Sequence, residues 1–295
     1  MSINLNELPA PEVVEELQFE AILAAMIADY QTRYPDFNAL LESDPAYKQF
    51  EVAAYREVQL RQRMNDAARA VMLAFSQGTD LDHLAAIQDV ARLLVDPGDP
   101  EAVPPIDPTY EADDNLRGRV QLAPESQSTA GPSGAYEFHG LSASGLVKDI
   151  SVVSPAATQI TINVLSAEGN GVPSQAVLDS VTAALVDDRK VRPLTDEVTV
   201  QAATVYDYNV DATLDIYKSF DAATILQAAE SAVAIYVDEN HRLGRAITDS
   251  GLKQALHRPG VHSVTLNSAL PAAAAMNEAP YCTGITVGVG SLIDE

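Results

Sequence analysis

Residues 46–92 read AYKQFEVAAYREVQLRQRMNDAARAVMLAFSQGTDLDHLAAIQDVAR, and the rest of the chain is organised around them. Between Ala46 and Gln77 there is neither Gly nor Pro, and Ala, Arg, Gln, Glu, Leu and Met dominate, so helix propensity is high. Tyr47, Phe50, Ala54, Val58, Met64, Ala68, Val71 and Phe75 recur at steps that keep one apolar stripe on one face. The pattern predicts a helix over 46–77 that stops at Gly78, a residue free to turn left-handed past a helix end. Thr79 or Asp80 is then the expected cap of a second helix carrying Leu81, Leu84 and Ile87. About thirty helical residues span roughly 45 Å. That exceeds what one small domain needs, so the helix is expected to pack along another, in this chain or in a partner.

Positive charge concentrates in this helix as Arg56, Arg61, Arg63 and Arg69. Arg56 and Arg63 point away from the stripe, whereas Arg61 falls inside it. An arginine buried there needs a carboxylate or carbonyl partner. Glu57, four residues earlier, is one candidate; a group on another helix is the other.

Upstream, residues 1–12 read as an extended arm. Glu15–Tyr30 is expected to be helical, burying Leu17, Phe19, Leu23 and Met26, with Tyr34-Pro35 as its break. A short helix at 37–42 precedes Ser43 or Asp44, either of which can cap the long helix. Downstream, Asp96–Pro108 is a Pro-rich, acidic connection. Glu111–Val120 and Ala135–Ser142 are short helices around a loop. Strands are expected at Val147–Ser154, Gln159–Ser166, Val198–Val205, Tyr208–Tyr217, Val261–Leu266 and Ile285–Val289. Helices are expected after Pro173, over Asp221–Val237 and over Ile247–Leu256. The fold class is therefore α+β: a helical region at 1–95, a connection at 96–146, and two small α+β modules at about 147–197 and 198–295 that self-associate.

The chain has 295 residues and a formal net charge of −24. That field repels nucleic-acid phosphates and anionic lipid, so neither nucleic acid nor membrane is an expected partner. The single cysteine, Cys282, excludes an internal disulfide framework. The start, MSINLNELPAPEVVEE, lacks a basic and then apolar leader. The expectation is a soluble protein made in the cytoplasm.

Catalytic patterns are missing: no phosphate-binding glycine loop, HExxH, CxxC or GxSxG occurs. His83, His139, His241, His257 and His262 have no partner at metal-ligand spacing and read as surface or turn residues. Asp113-Asp114 and Asp187-Asp188 are adjacent carboxylates that diverge on a helix and read as solvated. Cys282 reads as a small buried hydrophobe. No catalytic residue, metal ligand or cofactor is expected.

Segments 54–85 (AYREVQLRQRMNDAARAVMLAFSQGTDLDHLA), 113–120 (DDNLRGRV) and 129–140 (TAGPSGAYEFHG) together resemble the baseplate J-like family of contractile-tailed phages and R-type pyocins. NGVPS at 170–174, HRLGRAI at 241–247 and PGVHSVTL at 259–266 extend the likeness. The family's turn is intact as Gly78, Thr79, Asp80, Leu81 and Asp82; Pro132 departs from its glycine-rich turn. The resemblance implies a structural wedge subunit, not an enzyme, that closes a ring around a central hub. It implies contacts with itself, with neighbouring wedge subunits and with hub or sheath-initiating proteins, in a virion or tail-like particle. Tyr47, Phe50, Val58, Arg61, Met64, Ala68, Val71 and Phe75 are its expected bundle-helix interface. The competing readings are a cytosolic α/β enzyme with an unrecognised site and an unrelated cytosolic scaffold.

Overall fold

The computed structural model describes residues 5, 8–9, 11–37, 41–128, 130–187, 191–271 and 274–294. They form an α+β fold in two compact units: Met1–Arg92 with Ala112–Gln121, and Leu93–Glu111 with Leu122–Glu295.

The first unit is helical. α1 (Phe19–Arg33) and α2 (Pro45–Ala70) form a hairpin, and α3 (Gly78–Ile87) follows. Pro45 opens α2 where its missing N–H costs nothing, and Asp44 caps it by accepting the Ala46 N–H at 2.9 Å. α1 starts four residues later than expected, so Glu15 and Glu16 lie outside it and Glu20 is the acid in its first turn. Of the helix expected at 37–42, residues 38–40 lie outside the described residues, and Phe37, Leu41 and Glu42 are not helical.

α2 is shorter than its propensity suggests. Its 26 residues span about 39 Å, and Val71–Phe75 forms turns instead. Met72 N–H donates to Arg69 O and Phe75 N–H to Met72 O, three-residue bonds that tighten and end the ladder. Gly78 is not the stop of this helix. It is the first residue of α3, with φ at +53°, and its conformation turns the chain into that helix. Neither Thr79 nor Asp80 is the cap; both sit inside the first turn.

The second unit begins with β1 (Leu94–Asp96) paired to β2 (Thr109–Tyr110), so the Pro-rich connection is a closed loop. α4 (Asp113–Ser126) belongs to the first unit as far as Gln121, and its last turn and α5 (Ser133–Leu141) lead into a three-stranded sheet. There the expected strands β3 (Val147–Ala156) and β4 (Gln159–Ser166) pair antiparallel as a hairpin. α6 (Gln175–Thr182) and a π turn at Ala183–Asp187 carry the chain to β5 (Glu197–Ala202), parallel to β4. β5 thus completes the first sheet. Val147, Ile150, Ile162 and Val164 bury one sheet face against Tyr136, Val177, Val181 and Leu185.

β6 (Thr204–Tyr217) is one strand where the sequence suggested a break between Val205 and Tyr208; the break is at Ala203. α7 (Ala222–Asn240), α8 (Asp249–Leu256), β7 (Val261–Leu266) and β8 (Glu278–Ile293) follow. The strand order is β7-β6-β8, with β6 antiparallel to β7 and parallel to β8. Val210, Ala212, Leu214 and Ile216 alternate onto the helix-covered face. β8 runs 16 residues, well beyond the expected Ile285–Val289. Glycines at 284, 288 and 290 and Pro280 dilute its strand signal.

Candidate functional site

α2 presents two faces. On one, Ala54 and Asn65 are buried and Tyr47, Phe50, Val58 and Ala68 are half-buried. Tyr30 of α1 lies 5.2 Å from Phe50 and 4.9 Å from Phe37, edge to face. At the other end of α2, Asn65 Oδ1 accepts the Glu15 N–H at 3.0 Å and Asn65 Nδ2 donates to Glu15 O at 2.8 Å. The two helices therefore run antiparallel, and one buried amide pins the strap that enters α1.

Arg61 lies on this face, 44% exposed in its side chain, with Nη2 2.5 Å from Glu57 and Nη1 3.0 Å from Glu15. The helix-internal partner is present, joined by a carboxylate that precedes α1. Met64 is 69% exposed; at 100° per residue it sits roughly 80° from Ala54, outside the covered stripe. Val71 is exposed and Phe75 half-buried, both beyond the end of α2.

The other face of α2 carries Val52, Tyr55 and Leu60, all exposed. Phe19, Glu51, Val52, Tyr55, Arg56 and Gln59 line a shallow groove of about 480 Å³ beside it. A one-stripe reading of the sequence hides this second face. The signal was there in Val52 and Tyr55, three apart, and in Leu60 and Met64, four apart.

The Gly78–Asp82 turn is a clamp. Arg92 Nε lies 2.7 Å from Asp82 Oδ1, and its Nη2 is 2.7 Å from Asp113 Oδ1. The same Nη2 donates to Gly78 O at 3.3 Å, and Asp113 Oδ2 accepts the Gly78 N–H at 3.0 Å. That N–H, with Arg92 beside it, holds the Asp113 carboxyl below its usual range. Leu81 is fully buried, while Thr79 and Asp80 are exposed. Arg117, itself buried, donates from Nε to Leu73 O at 2.8 Å and from Nη2 to Ser76 O at 2.9 Å, and pairs with Asp114. Arg119 Nη2 donates to Ala91 O at 2.6 Å. Arg117 of DDNLRGRV thus holds the turn after α2 by its carbonyls, and Arg119 holds the segment after α3. Asp113 is engaged in the clamp and is not a solvated carboxylate, whereas Asp114 pairs with Arg117 and stays exposed, as expected.

In the second unit His241 is buried, not a surface residue. Its Nδ1 lies 2.5 Å from Pro280 O, and burial lowers its pKa. Asp149 Oδ2 accepts the Leu243 N–H at 2.8 Å, and burial raises its pKa. Lys148 pairs with Asp238 at 3.0 Å. HRLGRAI is therefore the seam between the two sheets of this unit. Cys282 is half-buried with Sγ 3.4 Å from Gly284 O. Among the described residues, no three His, Cys, Asp or Glu side chains gather as a metal site. Nor is any described helix long and apolar enough to cross a membrane.

Residues 42–99 match the baseplate J-like N-terminal domain and residues 128–202 the baseplate J-like central domain. The first match covers α2, the Gly78–Asp82 turn and α3; the second covers α5, the first sheet and α6. Baseplate protein J of Escherichia phage P2 is 44% identical over 297 residues, covering 98% of each chain. A likeness that runs from end to end at this identity means that the chain belongs to the baseplate J-like family.

Proposed function

We propose that this chain is a structural protein of a phage-type baseplate and acts as a wedge subunit of a contractile tail. The observation that carries the reading is the identity of 44% with baseplate protein J of phage P2 across 98% of both chains. A likeness confined to one domain would license one shared module; an end-to-end one supports a shared role. In this reading the particle is a virion or a tail-like bacteriocin, and the chain contributes assembly contacts, not catalysis. α2 joins helices of neighbouring subunits through Val52, Tyr55 and Leu60, while its other face is occupied by α1. The second unit, with its own cores and sheets, makes contacts between copies that close a ring around the central hub.

The α2 contact is tested with Val52→Lys/Tyr55→Lys, which charges the open face without touching the buried one. Expected is an unchanged far-ultraviolet circular dichroism spectrum and loss of co-purifying baseplate proteins. Undiminished recovery of those proteins would remove α2 from the interface. Arg61→Glu separates the roles further: because Arg61 is paired within the chain, it should loosen the residues around Glu15 more than it lowers recovery.

A further inference from the structure

We infer that β8 is a docking edge that pairs, antiparallel, with β8 of a second copy of this chain. This deepens the proposed self-association of the second unit and rests on it.

β8 flanks β6 on one side only. At its start the outer side is occupied: Gly244 N–H donates to Glu278 O at 2.9 Å, and His241 Nδ1 lies against Pro280 O. Pro280 also lacks an N–H to offer. Past the irregularity between Cys282 and Gly284, the strand continues in register with β6 from Gly284 to Val289. Among the described residues no second strand pairs there. Backbone groups alternate sides along a strand. Carried from Glu278 and Pro280 through the one-residue shift, the alternation puts the amides and carbonyls of Ile285, Val287 and Val289 on the open edge. At Ser291 the strand turns its N–H inward to β6, where Asp215 Oδ1 accepts it at 2.8 Å. Gly290 permits this approach; a Cβ there would stand 2.6 Å from the same oxygen.

Long open edges are normally guarded by charge, shortness or bulges. β3 carries Lys148 and Asp149, β5 begins at Glu197, and β7 has only six residues. β8 has guards at its two ends and none between. No charged residue occurs from Ala279 to Ile293, and Val289 and Leu292 are 41% and 53% exposed.

The chemistry selects the occupant. An open row of N–H and C=O groups is satisfied by another strand. A chain of net charge −24 meets its own copy best where carboxylates are absent. Two-fold pairing uses the same groups on both copies, so one open edge suffices. It brings the Glu278 end of one copy towards the Asp294 end of the other, where Lys218 Nζ already sits 2.7 Å from Asp294.

The test uses the full chain in sedimentation equilibrium. Thr286→Lys/Val289→Lys places two charges on β8, and Thr265→Lys, on the opposite edge of the sheet, is the control. Expected is self-association of the wild type, weakened by roughly tenfold or more in the β8 variant and unchanged in the control. Amide exchange over residues 284–289 of the wild type should slow as concentration rises. Association that survives the two lysines, or concentration-independent exchange at 284–289, overturns the β8 pairing while leaving self-association standing. A wild type that stays monomeric overturns both.

Discussion

Two side chains do most to fix the first unit. Asn65 satisfies both backbone groups of Glu15 with its own amide. Alanine there removes both bonds to these part-buried groups, costing about 1 kcal/mol. Asn65→Ala is expected to expose residues 11–18 to limited proteolysis while α2 stays helical. Arg92 holds Asp82, Asp113 and the Gly78 carbonyl at once. Arg92→Leu should destabilise the clamp by about 2 kcal/mol, since charge-assisted hydrogen bonds are lost from both carboxylates. The readout is faster amide exchange across Gly78–Ile87. Acid acts at the same place. The Asp113 carboxyl titrates below its ordinary value of 3.8, so its stabilisation is complete above that value and is lost as pH falls through the lower, folded one. Acidification should therefore release α3 protection, and Asp113→Asn should remove that pH dependence.

At the scale of elements, the seam of the second unit carries the opposite sign. Burial raises the Asp149 pKa above 3.8. The folded state then binds the proton more tightly than the unfolded one, so this group's contribution falls as pH rises from 3.8 through the raised value. Asp149→Asn keeps an acceptor for the Leu243 N–H and removes the buried charge. Its melting temperature relative to wild type should rise between pH 4 and 7; an unchanged difference would mean that the carboxylate is solvated. Much of this architecture was legible in local pattern. The β3–β4 hairpin and the alternation of β6 follow from period and turn chemistry, while Asp221, read as the first residue of α7, is its cap and accepts the Thr224 N–H at 3.0 Å. What local pattern missed was set from far along the chain. α2 stops at Ala70 because Arg117, over forty residues on, takes the carbonyls of the next turn. Asp113 looked solvated because its partners, the Gly78 N–H and Arg92, are brought to it only by the fold; Asp114 pairs locally with Arg117, three residues on. β8 looked short because its glycines suppress strand propensity, whereas its pairing with β6 fixes its length.

At the scale of the whole molecule, the two units divide the proposed work. The first offers a helix with a second apolar face, braced by a clamp built on the Gly78–Asp82 turn. The second offers two sheets, one ending in an open strand. Family membership joins these into one role, that of a baseplate structural protein. The most direct measurement is to delete the gene from its parent phage or tail locus and image the particles by negative stain, with and without the gene restored in trans. The account predicts that functional tails with assembled baseplates are absent from the deletion and return with the wild-type chain. Tails of normal form and activity from the deletion strain would contradict it.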